Sequence, residues 1–350
     1  MTPKVKFGIA AAIIAAIVIS SLANAGIQLF PTGTADTIDT IRVGYFPNIS
    51  HAQAVIGLGN GDYQKALGDV KIETQIFNAG PSAIESLFAN RVDVTYIGPN
   101  PAINGYIKSE GQALRIVSGA ASGGAVFVVR NDAGINSVED LAGKKFASPQ
   151  LGNTQDVALR AYLMSHGHNT KENGGTVEVL PAKNADIVTL MLKKDIDGAW
   201  VPEPWGAKLV KEANCRIFLD EQDLWPDGKF VTAHMIVNTE FLKNHPDVVK
   251  KLINAHVDET VWINEHTEEA LKAFNTELEK LQGQKIPEDE LADAFSRLTI
   301  TYDPIKGSLV KSANDAFEIG FLGETSPDLT DIYDLGLLNE ILRERNLPPV

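Results

Sequence analysis

From about residue 40 the chain alternates between two hydrophobic rhythms. Short runs rich in Val, Ile, Phe and Tyr read as strands: 41–46 (IRVGYF), 70–77, 92–98, 114–120, 125–130, 144–149, 176–181, 196–201, 215–220 and 230–238. Between many of them apolar residues return every three or four positions, as in VALRAYL from Val157 to Leu163, which is the helical period. Ser82 with Glu85 and Ser137 with Asp140 have capping-box spacing and predict helix starts. Such alternation predicts α/β layers with mainly parallel sheets. From about 239 to 322 the pattern becomes helical throughout, with Glu–Lys pairs at helical spacing that mark solvated faces.

These shifts predict two α/β lobes with C-terminal helical decoration. Strand-like segments near 125–131 and 229–238 flank the middle block and are expected to be the crossovers. The first lobe then comprises 41–127 and 231–350, with 128–230 inserted as the second. The cleft between two such lobes is a natural place for a small ligand.

Composition narrows the function. Hydrophobic content of 44% and charged content of 22% are those of a folded globular chain. A net charge of −14 argues against nucleic acid, which needs a basic face. A single cysteine, Cys215, excludes an internal disulfide and a thiolate metal cluster, and its place in the run CRIFLD predicts a buried, inert thiol. Lys4 and Lys6 precede a stretch with no charge from Phe7 to Ala35, and Ala23-Asn24-Ala25 has the small-x-small form of a cleavage site. This predicts either a secretory signal in residues 1–25 or an uncleaved membrane anchor. In both cases the folded part works outside the cytoplasm.

Catalytic signatures are missing from the sequence: there is no HExxH, GxSxG or Walker motif. GLGNGD at 57–62 follows a helical pattern rather than a strand, and so is a weak dinucleotide signal. His166 and His168, two apart, cannot share a helical face. Glu203 stands between two prolines with no acid–base partner nearby in sequence. A binder is expected rather than an enzyme, with no metal or cofactor.

What the sequence does contain is a set of small, neutral, donor-rich clusters where strands end, the usual ligand edge of an open α/β sheet. GPNP places Gly98 at a sharp turn, Pro99 or Pro101 in a first helical turn, and Asn100 beside them. GAASGGAV brings Ser122, Gly123 and Gly124 ahead of a strand. QLGNTQD sets Gly152, Asn153 and Thr154 at the start of a helix, whose free N–H groups and partial positive charge can hold an oxyanion without arginine. The same stretch is compatible with capping alone, because Asn153 and Asp156 have capping-box spacing. AWVPEPWG adds Trp200 and Trp205; tryptophans are more often core than ligand wall, but at the end of a strand beside two prolines a cleft lining is also open to them. Neutral donors plus an apolar wall suit an organic anion with a carbon tail.

At these residues the chain resembles the substrate-binding proteins of nitrate/sulfonate/taurine ABC importers, and most strongly the aliphatic-sulfonate-binding members. The stretches that carry the resemblance are IRVGYFPNISHAQAV, FNAGPSAIESLFANRVDVTYIGPNPAINGY, SGGAVFVVR, LGNTQDVALRAYL, IDGAWVPEPW and DLWPDGKFVTAHMIVNTEFLKNHPDVVKK. The resemblance implies a two-lobed, type II periplasmic-binding-protein fold that closes on its ligand, delivers it to a membrane permease, and acts as a monomer. By position it implies ligand contacts from Asn48, Ser50, His51, Asn100, Ser122, Gly123, Gly124, Gly152, Asn153, Thr154, Trp200 and Glu203. An alkanesulfonate is the expected anion. Nitrate, bicarbonate, taurine or a phosphonate keep the fold and change the ligand. A thiamine-pyrimidine-precursor synthase shares the fold but relies on a cysteine-rich segment, which this chain lacks. A membrane-tethered sensor would need an output domain that the few residues before Phe7 cannot supply.

Overall fold

The computed structural model describes residues 38–350; the expected N-terminal signal or anchor lies outside them. Among the described residues there are eleven strands: β1 (Thr40–Tyr45), β2 (Lys71–Ile76), β3 (Val94–Ile97), β4 (Leu114–Gly123), β5 (Ala125–Arg130), β6 (Lys145–Ser148), β7 (Glu178–Pro181), β8 (Gly198–Pro202), β9 (Cys215–Asp220), β10 (Val231–Asn238) and β11 (Leu298–Ile300). The first ten coincide with the expected runs. β11 is too short to have shown a periodicity.

The strands form two sheets, ordered β11-β4-β10-β3-β1-β2 and β7-β6-β8-β5-β9. In the first, β1 runs parallel to β2 and β3, and β10 is antiparallel to β3 and β4. In the second, β6 runs parallel to β7 and β8, and β5 is antiparallel to β8 and β9. The two share one plan: three parallel strands beside an antiparallel strand that carries the chain in from the other sheet.

Burial explains why these runs are strands. Every residue of β5 is buried, with Val126 and Val128 packing into one core and Phe127 and Val129 into another. A sheet covered on both faces needs such continuous apolar runs. The chain crosses between sheets at Gly123–Gly124 and again within 221–230. The expected crossovers at 125–131 and 229–238 are therefore displaced, because regular strand occupies most of both segments. Gly123 and Gly124 have φ of +77° and +75°, and a Cβ on Gly123 would lie 2.6 Å from the Arg297 carbonyl oxygen. Only glycine fits that corner comfortably.

Helices cover the sheets, including Pro246–Glu265 and Thr267–Gln282 in the expected helical tail. A further helix, Gly336–Glu344, was not anticipated. Ser137 and Asp140 form the expected capping box. Ser82 does not: its helix starts earlier, at Gly80, with Pro81 in the first turn and no side-chain cap. No described helix is long and apolar enough to cross a membrane.

Candidate functional site

The parallel strands of both sheets point their carboxyl ends at one place. The segments following them meet around a small space lined by Phe46, Asn48, Ser50, His51, Asn78, Ala79, Gly98, Pro149, Asn153, Thr154, Gln155, Asn184, Pro202 and Thr232. Five helical segments begin at or beside this lining: Ile49–His51 leading into Ala52–Gly59, Gly80–Phe88, Pro99–Lys108, Thr154–Ser165 and Asn184–Leu192. Each contributes N–H groups without intrahelical acceptors and a partial positive charge. No Lys, Arg, Asp or Glu is in the lining.

The one titratable lining residue is neutral. Burial pushes the His51 imidazole down to about 3. Its ring stacks on Phe46 with centroids 4.5 Å apart, and its Nδ1 accepts the Phe46 N–H at 3.3 Å. That bond assigns the ring proton to Nε2, so His51 offers an uncharged donor.

The helix start at 153–155 does not cap itself. Asn153 is the N-cap residue but makes no capping bond. Its Oδ1 accepts the Gly80 N–H at 3.2 Å, and its Nδ2 donates to Gln155 Oε1 at 2.8 Å. Asp156 turns away from the space, with its carboxylate held by Ser148 Oγ at 2.6 Å, Gly152 N at 2.9 Å and Arg160 Nε at 3.1 Å. The capping-box reading is therefore corrected, and the acid does not oppose an anion at the helix start. Thr154 is 5% exposed, and its buried Oγ1 has no hydrogen-bond partner.

The cleft is drawn together by residues from the two sheet systems. Trp205 Nε1 donates to Asn48 Oδ1 at 3.2 Å, and Gly80 meets Asn153 as above. A Cβ on Gly98 would lie 2.2 Å from Thr154 Oγ1, so these positions touch only because Gly98 lacks a side chain. The remaining space, about 20 Å³, has room for about one water. A larger chamber of about 350 Å³ adjoins it, with Thr154 lining both.

Of the expected site residues, Asn48, Ser50, His51, Asn153 and Thr154 come together in the small space. Asn100 lines the larger chamber and donates from Nδ2 to the Ser312 carbonyl at 3.0 Å. The Gly152 N–H is taken by Asp156. Ser122, Gly123 and Gly124 lie at the sheet crossing, where Ser122 pairs with β10 and β11. Trp200 is fully buried in the second sheet, stacked on Phe127 at 5.3 Å with its Nε1 donating to Glu221 at 2.7 Å. Glu203 is a cross-link: Oε1 meets Arg297 Nε at 2.6 Å and Oε2 accepts the Ala207 N–H at 3.0 Å. Its burial pushes the carboxyl up, against the pull of Arg297. Cys215 is buried, with its thiol pushed up to about 11 by desolvation.

Asn78, Gln155, Asn184 and Thr232 join the lining and were not anticipated. Asn184 had a readable signal, because it is the first residue of a helix that follows a strand run, one position further in than Asn153 at its own helix start.

Two sheets of matching order, with a donor-lined cleft at their carboxyl edges, define a periplasmic-binding-protein fold. The chain belongs to the NMT1-like family, whose model matches residues 35–276. It is 27% identical over 269 residues to a Brucella abortus protein provisionally named a binding protein, covering 73% of this chain and 80% of that one. Its fold resembles the alkanesulfonate-binding protein of Xanthomonas axonopodis pv. citri, solved with MOPS bound, with a TM-score of 0.68, 16% identity, and 83% of this chain and 96% of the other covered. It also resembles the nitrate-binding protein of Synechocystis, with a TM-score of 0.72, 16% identity, and 89% and 90% covered.

Proposed function

We propose that this protein is the extracytoplasmic solute-binding component of an ABC importer, and that it captures a small organic anion, an aliphatic sulfonate. The observation that carries this reading is the meeting of five helix starts on a space lined by uncharged donors, with an unpartnered Thr154 hydroxyl among them. A sulfonate is a monoanion at every ordinary pH and presents three oxygens to such donors. The named ligand of the alkanesulfonate-binding neighbour supports the same class, while that of the nitrate-binding neighbour fits the second reading below.

Two lobes, 38–123 with 231–350 and the inserted 125–220, close over the anion and open about Gly123–Gly124 and 221–230. Ligand contacts made from both lobes exist only when closed, so the ligand shifts the population towards closure. Moving the balance from 1:99 to 99:1 takes about 5.5 kcal/mol of differential affinity. The closed form then docks on the permease.

A second reading, a compact inorganic anion such as nitrate or bicarbonate, draws support from the tight space of about 20 Å³. Calorimetry with methanesulfonate, longer alkanesulfonates, taurine, nitrate, bicarbonate and methylphosphonate separates the two. We expect heat from the sulfonates. Binding of nitrate or bicarbonate alone moves the assignment to the second reading, and silence across the panel ends both.

A further inference from the structure

Four side chains in the lining of the anion space, Asn48, His51, Asn153 and Gln155, carry both a donor and an acceptor. Such a group can show a ligand either one, and its other partners decide which. Three of those partners are groups that donate and never accept. The Trp205 indole Nε1 donates to Asn48 Oδ1 at 3.2 Å. The Gly80 N–H donates to Asn153 Oδ1 at 3.2 Å. The Phe46 N–H donates to His51 Nδ1 at 3.3 Å. Asn153 passes its orientation on, because its Nδ2 then donates to Gln155 Oε1 at 2.8 Å. What remains to Asn48, His51 and Gln155 is N–H.

Two of these bonds cross the cleft. Trp205 follows β8 of the second sheet and Asn48 follows β1 of the first; Gly80 follows β2 of the first and Asn153 follows β6 of the second. Closure therefore turns amides that could face either way into donors. The lining holds no carboxylate to accept a hydrogen. Thr232 turns its hydroxyl to the Gly123 carbonyl at the crossing. The Thr154 hydroxyl has no acceptor of its own, so a hydrogen donated to it would leave its own unpaired. Asn184 Oδ1 has no partner either, and no bond to that oxygen opposes turning Nδ2 inwards.

We propose that Trp205 and Gly80 set the selectivity of the site: by pinning these amides on closure, they admit oxyanions that carry no hydrogen and reject those of like charge and shape that keep a hydroxyl hydrogen. This rests on the anion-binding reading of the same space and deepens it. Neither residue is in the lining, so each acts as a positioning residue, Trp205 through Asn48 and Gly80 through Asn153. A sulfonate offers bare oxygens to the donors. A phosphonate monoanion brings an O–H that must be buried facing N–H groups, and a buried donor without an acceptor is costly. Bicarbonate carries such a hydrogen and is disfavoured on the same ground, whereas nitrate is not.

The test titrates two probes of matched shape, methanesulfonate and methylphosphonate, into the protein by calorimetry. At about pH 5 both are monoanions and only the phosphonate keeps a hydroxyl hydrogen; by about pH 9 it has released it. The wild-type protein is expected to prefer the sulfonate at least tenfold at the lower pH, and that preference should shrink at least fivefold at the higher. Trp205→Phe keeps a ring and removes the N–H, so it should cut the low-pH preference at least threefold. Thr154→Val frees no acceptor, and should weaken both probes while leaving their ratio in place. Near-equal affinities at low pH, or a preference that ignores pH, overturn the proposal in the wild-type protein whatever the variants do. It is equally overturned by a wild-type preference in Trp205→Phe, or by a ratio that moves as far in Thr154→Val. In each of those cases the anion site stands. If neither probe binds at either pH, the organic-anion reading fails and this inference goes with it.

Discussion

Thr154 carries a buried hydroxyl with no partner among the protein's own groups, beside a space that can hold a water or a ligand oxygen. An unpaired buried hydroxyl costs roughly 1–3 kcal/mol, whereas a hydrogen bond made to a ligand returns about 1 kcal/mol. Thr154→Val keeps the shape and removes the oxygen. We expect an unchanged or higher melting temperature together with about fivefold weaker anion binding, and a lowered melting temperature with unchanged affinity would contradict a ligand role. Gly98 makes a complementary test. Its missing Cβ is what allows contact with Thr154, at 2.2 Å from Oγ1. Gly98→Ala should therefore hold the lobes apart, seen as a larger radius of gyration under saturating ligand, and adding Thr154→Ala should restore compaction. Both residues were legible as short, neutral positions where strands end. Trp200 and Glu203 lie away from the small space for a physical reason: a sequence motif places residues in and just after β8 but does not say which face each one takes. Trp200 faces Phe127 in the core, and Trp205, from the same motif, reaches across to Asn48.

At the scale of elements, the central strands were readable because they are continuous apolar runs covered on both faces, as in β5 and β8, whereas β2 at a sheet edge is mostly exposed and was readable only from its alternating Ile and polar positions. The crossings were harder to read, since a glycine pair marks a corner only when something sits close against it. Here that neighbour is Arg297, which lies just before β11. Its carbonyl accepts Gly124 N at 2.8 Å and Gln222 Nε2 at 2.8 Å, one from each crossing. Its guanidinium pairs with Glu203 and with Asp293, both at 2.6 Å. One residue thus ties both connections to the end of β8. Removing one partner of a buried pair typically costs about 3–5 kcal/mol, because the other charge is left unpaired. Arg297→Ala should lose stability on that scale in urea unfolding. Glu203→Gln should cost less, since an amide oxygen can still accept from Ala207. Equal losses would mean that the Arg297 charge is not what holds the crossing.

Across the whole molecule, stability against pH is set by groups buried in the form that suits the fold. Burial lowers His51 to about 3, and His234 and His256 to about 4. Each stays neutral in the folded chain while the unfolded chain takes up a proton below about pH 6.5, so all three withdraw stability as pH falls. Glu221 and Glu259 act in the opposite sense. Burial raises both to about 7, so between the ordinary glutamate value and about 7 the folded form holds protons that the unfolded form has released. Over roughly pH 4.5 to 6.5 two carboxyls therefore offset two of the three histidines, leaving a net slope near one proton, about 1.4 kcal/mol per pH unit. Between roughly pH 4.5 and 4 the offset is gone and the three histidines act together; below about 4 His234 and His256 take up protons in the folded chain as well, and only His51 continues, to about 3. The unfolding free energy from urea titrations should thus decline gently to about pH 4.5, steeply from there to about pH 4, and gently again below. Replacing Glu221 and Glu259 by Gln removes the offset, so the steep decline should begin near pH 6.5. A double variant with the wild-type profile would show that these carboxyls are not held protonated by the fold.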